Sequence, residues 1–355
     1  MAPRILITGA TGYIGGDTLY ALHEKHPDYQ YTALVRTQAN ADLLLRRYPG
    51  LEVIIGTLDD ARVLEQAAAD ADVVIHSAES ADHLDAAQAI AKGLWRGHSD
   101  AHPGYWLHTG GTGSLTYDDM TRGKLGEWSD KQYNDWSGVH ELTHLPEKAM
   151  HRNVDKIVLD AGTERAARIK TAIVCPPTVY GTGRGLVNQR SRQVYDLAKV
   201  VMEKGWVPII GEGQARWNNL HVHDLSDASV LLTEAAVAGN VDPELWGEKG
   251  YLAVENGEHA WDDIARRIGA AAAELGHLER GYETKTLDAE EAINAGGFAT
   301  MAWAWNARAR SIRLNKVLHW KPSRSSLEKE IPEIVKGEYE RLATSRGRET
   351  RENAP

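Results

Sequence analysis

Thr8-Gly9-Ala10-Thr11-Gly12-Tyr13-Ile14-Gly15 follows directly on the apolar run that begins at Ile5 and opens a helix-like stretch, Ile14–His26. Between a strand and a helix the three glycines have separate mechanical meanings. Gly9 permits a tight turn, Gly12 lets the backbone approach a pyrophosphate, and Gly15 lets the helix pack close to the strand. The helix N-terminus then faces the anion with unpaired N–H groups. An ordinary βα turn is the alternative, and the rest of the chain has to decide between them.

From Ile5 to Cys175, short β-branched or apolar runs alternate with longer helical stretches, the pattern of βαβ units and a parallel sheet. The strand candidates are Ile5–Thr8, Tyr31–Arg36, Leu51–Ile55, Asp72–Ser77, Tyr105–Thr109 and Thr171–Cys175. Helices are expected over Ile14–His26, Ala61–Ala69, His83–Trp95 and Pro146–Lys170. After Gly181 the rhythm changes: helical Ser191–Lys204, then Val207–Gly211 and Leu220–Val222, then helices over Asp224–Ala238, Trp261–Leu275 and Leu327–Leu342. The expected fold class is α/β, a Rossmann doubly wound parallel sheet with a smaller, interleaved C-terminal α/β substrate domain. Residues 1–180 form the nucleotide-binding domain with 212–240 returning to it, 181–211 and 241–343 form the substrate lobe, and 344–355 form a solvated tail.

Composition narrows the function classes. Of 355 residues 42% are hydrophobic and 25% charged, which suits a globular chain. No apolar run approaches the roughly 20 residues that span a bilayer, so no membrane partner is expected. A formal net charge of -10, with no stripe of Lys and Arg, argues against nucleic acid. The single cysteine, Cys175, excludes an internal disulfide and fits a reducing compartment. No signal-peptide layout precedes the glycine turn, so the expected address is cytoplasmic.

The Gly-x-x-Gly-x-x-Gly spacing resembles that of the extended and atypical short-chain dehydrogenases/reductases (NAD-dependent epimerase/dehydratase-like or NmrA-like). Four later segments resemble the same family: His76-Ser77-Ala78, Pro177-Thr178-Val179-Tyr180-Gly181, Leu220–Leu225 and Leu318-His319-Trp320-Lys321-Pro322. The resemblance implies that Gly9, Thr11, Gly12, Tyr13, Ile14 and Gly15 hold the cofactor phosphates, with Ser77 and Ala78 beside the nicotinamide ribose. Thr57 and Leu58 stand where the family has an Asp-Leu pair for the adenine, and Asp59 or Asp60 is available to compensate. It also implies a homodimer through a bundle of His83–Trp95 and Pro146–Lys170.

The second strand ends in Leu34-Val35-Arg36, about 20 residues beyond the glycine turn, where an NAD enzyme places an acid on the ribose hydroxyls. An arginine there pairs with a 2′-phosphate instead, so the expected cofactor is NADP(H). A solvated arginine at a strand end is the alternative.

The family's acid–base set is a Ser or Thr after the fifth strand and a Tyr-x-x-x-Lys on the next helix. Here the chain departs. Gly111 falls near the usual Ser position, leaving Thr109, Thr112 and Ser114 as the available hydroxyls, and Pro146–Lys170 contains no tyrosine. Register on Val154–Leu159 puts Glu147 in the Tyr position and His151 in the Lys position, an i,i+4 pair if both are helical. His151 is therefore a candidate both for catalysis and for contact with the cofactor ribose. The literal Tyr195–Lys199 match lies after the sixth strand, out of place. Tyr117, Tyr133 and Tyr180 remain as proton donors that spacing cannot rank.

On the substrate side, Trp217 stands where sugar-nucleotide enzymes of the family commonly carry a diphosphate-binding Arg, which favours a smaller or aromatic compound. Trp217 as ordinary core is the alternative. Tyr180 and Trp217 are the substrate-pocket candidates, and Phe298, Met301, Trp303 and Trp305 belong to the same lobe. His140-Glu141-Leu142-Thr143-His144 only partly resembles a zinc helix, and no metal is expected. The expected function is NADPH-dependent reduction of a small or aromatic carbonyl, or an imine, by hydride transfer. The alternatives are a non-catalytic NADP(H)-sensing regulator like the NmrA-like members, and a sugar-nucleotide epimerase or dehydratase.

Overall fold

In the computed structural model residues 2–352 are described, with side chains to residue 345. The strands are β1 (Arg4–Thr8), β2 (Gln30–Val35), β3 (Glu52–Ile55), β4 (Val73–His76), β5 (Gly104–Thr109), β6 (Tyr133–Asn134), β7 (Ile169–Cys175), β8 (Thr178–Tyr180), β9 (Trp206–Ile210), β10 (Arg216–His221), β11 (Tyr251–Ala253), β12 (Glu258–Ala260), β13 (Glu283–Leu287) and β14 (Ala309–Arg310). The α-helices are α1 (Tyr13–Lys25), α2 (Gln38–Arg47), α3 (Ala61–Asp70), α4 (Leu84–Gly97), α5 (Tyr117–Arg122), α6 (Val139–Thr143), α7 (Arg152–Glu164), α8 (Gln193–Lys204), α9 (Val222–Val237), α10 (Trp261–Glu274), α11 (Ala289–Gly296), α12 (Arg313–Leu318) and α13 (Leu327–Glu352).

Seven strands form one parallel sheet in the order β11-β7-β5-β4-β1-β2-β3. Alternation along each strand supplies both faces. Ile5, Ile7, Val73, Ile75, Tyr105 and Leu107 enter the core beneath α1, α2 and α9, whereas Leu6, Val74 and Trp106 enter the core beneath α3, α4 and α7. This two-sided burial is what a doubly wound sheet requires. Among the described residues no helix is long and apolar enough to cross a membrane.

The domain expectation needs redrawing. Tyr251–Ala253, assigned above to the lobe, pairs in parallel with Ile173–Cys175 and completes the main sheet. Of 212–240, only α9 returns beneath that sheet, through Leu225, Ala228 and Leu232. The strand containing Leu220 and His221 instead joins a separate sheet, β12-β10-β8. A parallel pair, β9 with β13, builds the lobe together with α8, α10 and α13. The expected tail from residue 344 continues α13 through Glu352, and 353–355 lie outside the described residues. The expected helix Pro146–Lys170 is also shorter: α7 begins only at Arg152 and stops at Glu164.

α3 and α4 touch backbone to backbone, because a Cβ on Gly93 would stand 2.8 Å from the Ala68 Cβ and closer still to the Glu65 carbonyl oxygen. Gly93→Ala gains about 1 kcal/mol of helix propensity, but overpacking a fixed backbone costs about 1–3 kcal/mol. The expected net result is a lower urea midpoint with an unchanged m-value. A midpoint at or above that of the wild type would mean that α3 and α4 separate freely.

Candidate functional site

The glycine turn has the geometry its spacing implies. Gly9 has φ +80°, and the Gly12 N–H donates to the Gly9 carbonyl across 2.8 Å. A Cβ on Gly15 would stand 2.8 Å from the Gly9 carbonyl carbon and nearer still to its oxygen, so only glycine lets α1 start so close to the turn. Gly12 caps α1 with no side-chain hydrogen bond, leaving the first-turn N–H groups for a ligand. The turn is pinned to the end of β4: Thr8 Oγ1 accepts from the Ser77 and Ala78 N–H groups at 3.2 and 3.4 Å and contacts His76 Nδ1 at 2.7 Å. Thr11 lies within the turn, half-buried.

Arg36 is exposed at the end of β2, with no carboxylate on the strand end beside it. Thr57 is exposed; its N–H and hydroxyl donate to Asp60 Oδ2 at 2.7 and 3.3 Å, so Asp60 is occupied closing its own loop. Asp59 points outward, 3.3 Å from His83 Nε2. Leu58 packs against the core rather than standing free.

From Gly12, Tyr13 and Ile14 a cavity of about 500 Å³ runs past Ser77, Gly111, Thr112, Gly113 and His151 to the lobe. Its far wall is Trp217, Phe298, Met301, Trp303 and Trp305, with Met150 and Asn188 at the sides. The wall is set by the fold: the Trp217 Nε1–H donates to the Trp305 carbonyl at 2.7 Å, and Trp261 wedges beside Trp217 and Trp303. Most polar groups on the lining are already engaged. Tyr13 Oη–H donates to the Gly181 carbonyl at 2.6 Å, Thr112 Oγ–H to the Pro176 carbonyl, and Thr116 Oγ–H to the Gly113 carbonyl at 2.7 Å. Arg190 forms a bidentate pair with Glu338 at 2.6 and 2.9 Å and also reaches Asp196 at 2.9 Å, so its charge is neutralised by protein.

His151 is placed otherwise than the register above implied. Residues 146–151 form turns, Glu147 is exposed, and the two do not make a helical pair. His151 precedes α7 with φ +66°, an uncommon left-handed conformation for a non-glycine residue. Its Nδ1 lies 2.7 Å from Asp82 Oδ1, and the imidazole lies over Gly111 and Gly113, where a Cβ would come within 2.6 and 2.9 Å of Nε2. Asp82 and the glycine seat went unnoticed in the sequence, because an exposed acid in the loop before α4 carries no local signal.

Other expected residues fall elsewhere. Ser114 is fully buried, its hydroxyl directed to the Gly111 carbonyl at 3.0 Å and the Tyr251 hydroxyl at 3.4 Å, and it does not line the cavity. Tyr180 likewise leaves the pocket, because its hydroxyl donates to the Ser325 carbonyl at 2.7 Å and ties the lobe together. Tyr195 donates to the Gly181 carbonyl at 3.2 Å, and Lys199 faces Glu203 at 3.8 Å, so that literal motif is structural. Tyr117 and Tyr133 do not line the cavity. His140 and His144 stack on one another at 3.9 Å, and among the described residues no group of three His, Cys, Asp or Glu side chains is arranged for a metal.

Beneath the Gly110–Thr112 turn lies a buried polar layer that the sequence did not reveal. Asp155 Oδ2 accepts from the Tyr251 hydroxyl at 3.4 Å, Tyr251 also reaches Cys175 Sγ at 3.5 Å, and His108 Nε2 lies 3.9 Å from Asp155 Oδ1. Burial pushes the Asp155 carboxyl up to about 7 and holds the His108 imidazole well below its ordinary value, so both favour their uncharged forms. Burial likewise raises the Cys175 thiol to about 11.

Residues 9–103 match the family described as NAD(P)H-binding. An oxidase, ucsJ, of an Acremonium species is 40% identical over 351 residues, covering 97% of this chain and 100% of its own length. An uncharacterised protein of Schizosaccharomyces pombe is 28% identical over 333 residues, 91% of this chain and 96% of its own. Among solved structures, dTDP-glucose 4,6-dehydratase of Bacillus anthracis in complex with NAD superposes with a TM-score of 0.64 at 16% identity, covering 96% of this chain and 97% of that one. UDP-glucose 4-epimerase of Thermotoga maritima gives 0.61 at 14% identity, with 96% and 99% coverage. At such identities the structural likeness concerns the fold alone.

The buried carboxyl makes stability depend on pH. Its folded value lies above the roughly 3.9 of a free aspartate, so the folded state binds the extra proton and stability is lost as pH rises from about 4 to about 7. Asp155→Asn removes this loss. Urea unfolding across that window is expected to show the variant gaining on the wild type as pH rises and levelling off above about 7. A constant difference between the two proteins would contradict a titrating Asp155.

Proposed function

The chain belongs to the extended short-chain dehydrogenase/reductase superfamily, and on that premise we propose that it is an NADPH-dependent oxidoreductase for a small or aromatic carbonyl compound, or an imine. The observation that carries this reading is a single cavity joining the phosphate turn at Gly12–Ile14 to an aromatic wall at Trp217, Trp303 and Trp305. The cofactor, when bound, supplies the hydride. The protein holds its phosphates at the first turn of α1 and offers the exposed Arg36 to a 2′-phosphate. Ser77 and Ala78 lie at the end of β4, where the ribose would rest. The similarity to a protein named as an oxidase is compatible with the same hydride step run toward NADP+.

Trp217 in place of a diphosphate-binding arginine weakens the sugar-nucleotide reading; of the two arginines on the lining, Arg190 is committed to Glu338 and Asp196, and Arg192 is exposed, 4.0 Å from Asp196. A regulator that only senses NADP(H) gains one supporting observation: among the described residues the one tyrosine lining the cavity, Tyr13, spends its hydroxyl on the Gly181 carbonyl. The aromatic wall favours the enzyme, because a sensor of NADP(H) has no use for a second, apolar compartment. The homodimer proposed from family resemblance would use the outer faces of α4 and α7, where exposed Trp95 is flanked by the guanidiniums of Arg165 and Arg168 at 4.9 and 4.0 Å. A cytoplasmic address remains part of the proposal.

Two measurements test the reading. Fluorescence titration is expected to show NADPH binding more tightly than NADH, with Arg36→Ala weakening NADPH by about tenfold, the low end for a solvent-exposed charged hydrogen bond, and leaving NADH unchanged. Equal affinities in the wild type would remove NADPH from the proposal. A panel of aryl ketones, aldehydes and imines that leaves NADPH unconsumed, while the cofactor still binds, would favour the sensor.

A further inference from the structure

The site lacks the tyrosine its fold class ordinarily brings to the reacting oxygen, and the geometry points to a replacement: we propose that His151, held by Asp82 and seated on Gly111 and Gly113, is the proton donor of the reduction. The inference rests on the oxidoreductase reading above and adds the acid. Three independent features support it. The imidazole occupies the space that any side chain at 111 or 113 would fill, since a Cβ at either position would stand within 2.6 and 2.9 Å of Nε2. The missing serine and the unusual histidine are therefore one arrangement. His151 also adopts φ +66°, a conformation costly for most residues, at the one place that puts its ring on the cavity lining.

Asp82 fixes which nitrogen does the work. A carboxylate only accepts, so Nδ1 carries the hydrogen shared with Oδ1 across 2.7 Å, and Nε2 is left to face the cavity. Competing donors on the cofactor half are engaged: the hydroxyls of Tyr13, Thr112 and Thr116 go to backbone carbonyls, and Ser77 Oγ meets Thr109 Oγ1 at 3.2 Å. Among the described residues His151 is thus the titratable group on that half whose polar atom is uncommitted.

The step balances. Hydride adds to the carbonyl carbon and its electron pair passes to the oxygen. The Nε2–H bond of the imidazolium breaks as the O–H bond forms, leaving alcohol and neutral imidazole. Water restores the proton, since the Asp82 side chain is 74% exposed. In the reverse direction neutral Nε2 takes the alcohol proton. The groups acting on the ring are Asp82 from the loop before α4 and His108 from β5; Arg152 and Asp155 follow on the first turn of α7. His108 stays uncharged, and Asp155 is uncharged below about 7, where Asp82 and Arg152 are the charges nearby.

The test compares wild type with His151→Asn, which keeps a left-handed backbone, with Asp82→Asn, and with Gly111→Ala, which displaces the ring without touching it chemically. Reduction by His151→Asn is expected to fall about 10²–10⁴-fold in kcat, the usual worth of a positioned acid, while the NADPH dissociation constant moves less than threefold. Gly111→Ala should fall in parallel, and Asp82→Asn by a smaller factor. Nitrogen-15 histidine spectra should show an Nδ1–H tautomer that disappears in His151→Asn. Turnover in the wild type that persists unchanged in His151→Asn overturns the dyad and leaves the oxidoreductase reading intact. Cofactor binding with no turnover in the wild type overturns both.

Discussion

Everything in this fold is referenced to the contact between the first turn of α1 and the carbonyl of Gly9. Without a Cβ at position 15, the helix axis starts close enough to the strand ends for its free N–H groups to stand over the sheet's C-terminal edge. Thr8 and the backbone of Ser77 and Ala78 then lock the neighbouring strand end to the same point. The segment after β8, which leads to the side of the cavity at Asn188, is fixed to the same helix: Gly185 packs against Gly16, and Arg184 binds the buried Asp17 at 2.6 Å. Phosphate seat and the Asn188 side of the cavity are therefore held together by contacts on one helix.

Much of this was legible from periodicity. Alternating apolar strands and the glycine turn carry information within a few residues, so β1, β2, β3, β4, β5 and β7 and the helices α1, α3 and α4 fall close to where the sequence puts them. What escaped depends on contacts distant along the chain. Tyr251–Ala253 is three residues long and becomes a strand only because β7 offers it an edge. Residues 146–151 read as helical, yet the left-handed turn at His151 delays α7, and the Asp82 pairing that accompanies it comes from a separate loop. Ser114 and Tyr180 were reasonable donors by type. Which way a hydroxyl points is decided by the nearest unsatisfied carbonyl, and neither Gly111 nor Ser325 advertises itself in a linear reading.

The layer under the cavity explains how such a site tolerates so many buried polar groups. An aspartate, a histidine, a thiol and a phenol lie together with Arg152 as the nearby cation, and burial still shifts each toward its neutral form. Below about pH 7 this floor is neutral and does not compete with a ligand's phosphates or with the imidazole above it. It also keeps the local dielectric low, where a directed hydrogen bond is electrostatically stronger than in water.

The second lobe is assembled from strands and helices drawn from well separated stretches of chain, with α8 and β9, α10, β13 and α13 meeting only in space and with β11 lent back to the nucleotide sheet in between. Such a mosaic cannot be cut out and exchanged as a cassette, since every splice point would sever part of the neighbouring sheet. New substrate preference in this lineage must then arise by point changes on the indole and thioether surfaces of the wall. Divergence would leave the scaffold in place and show itself as scattered single-residue turnover around Trp217, Phe298 and Trp303.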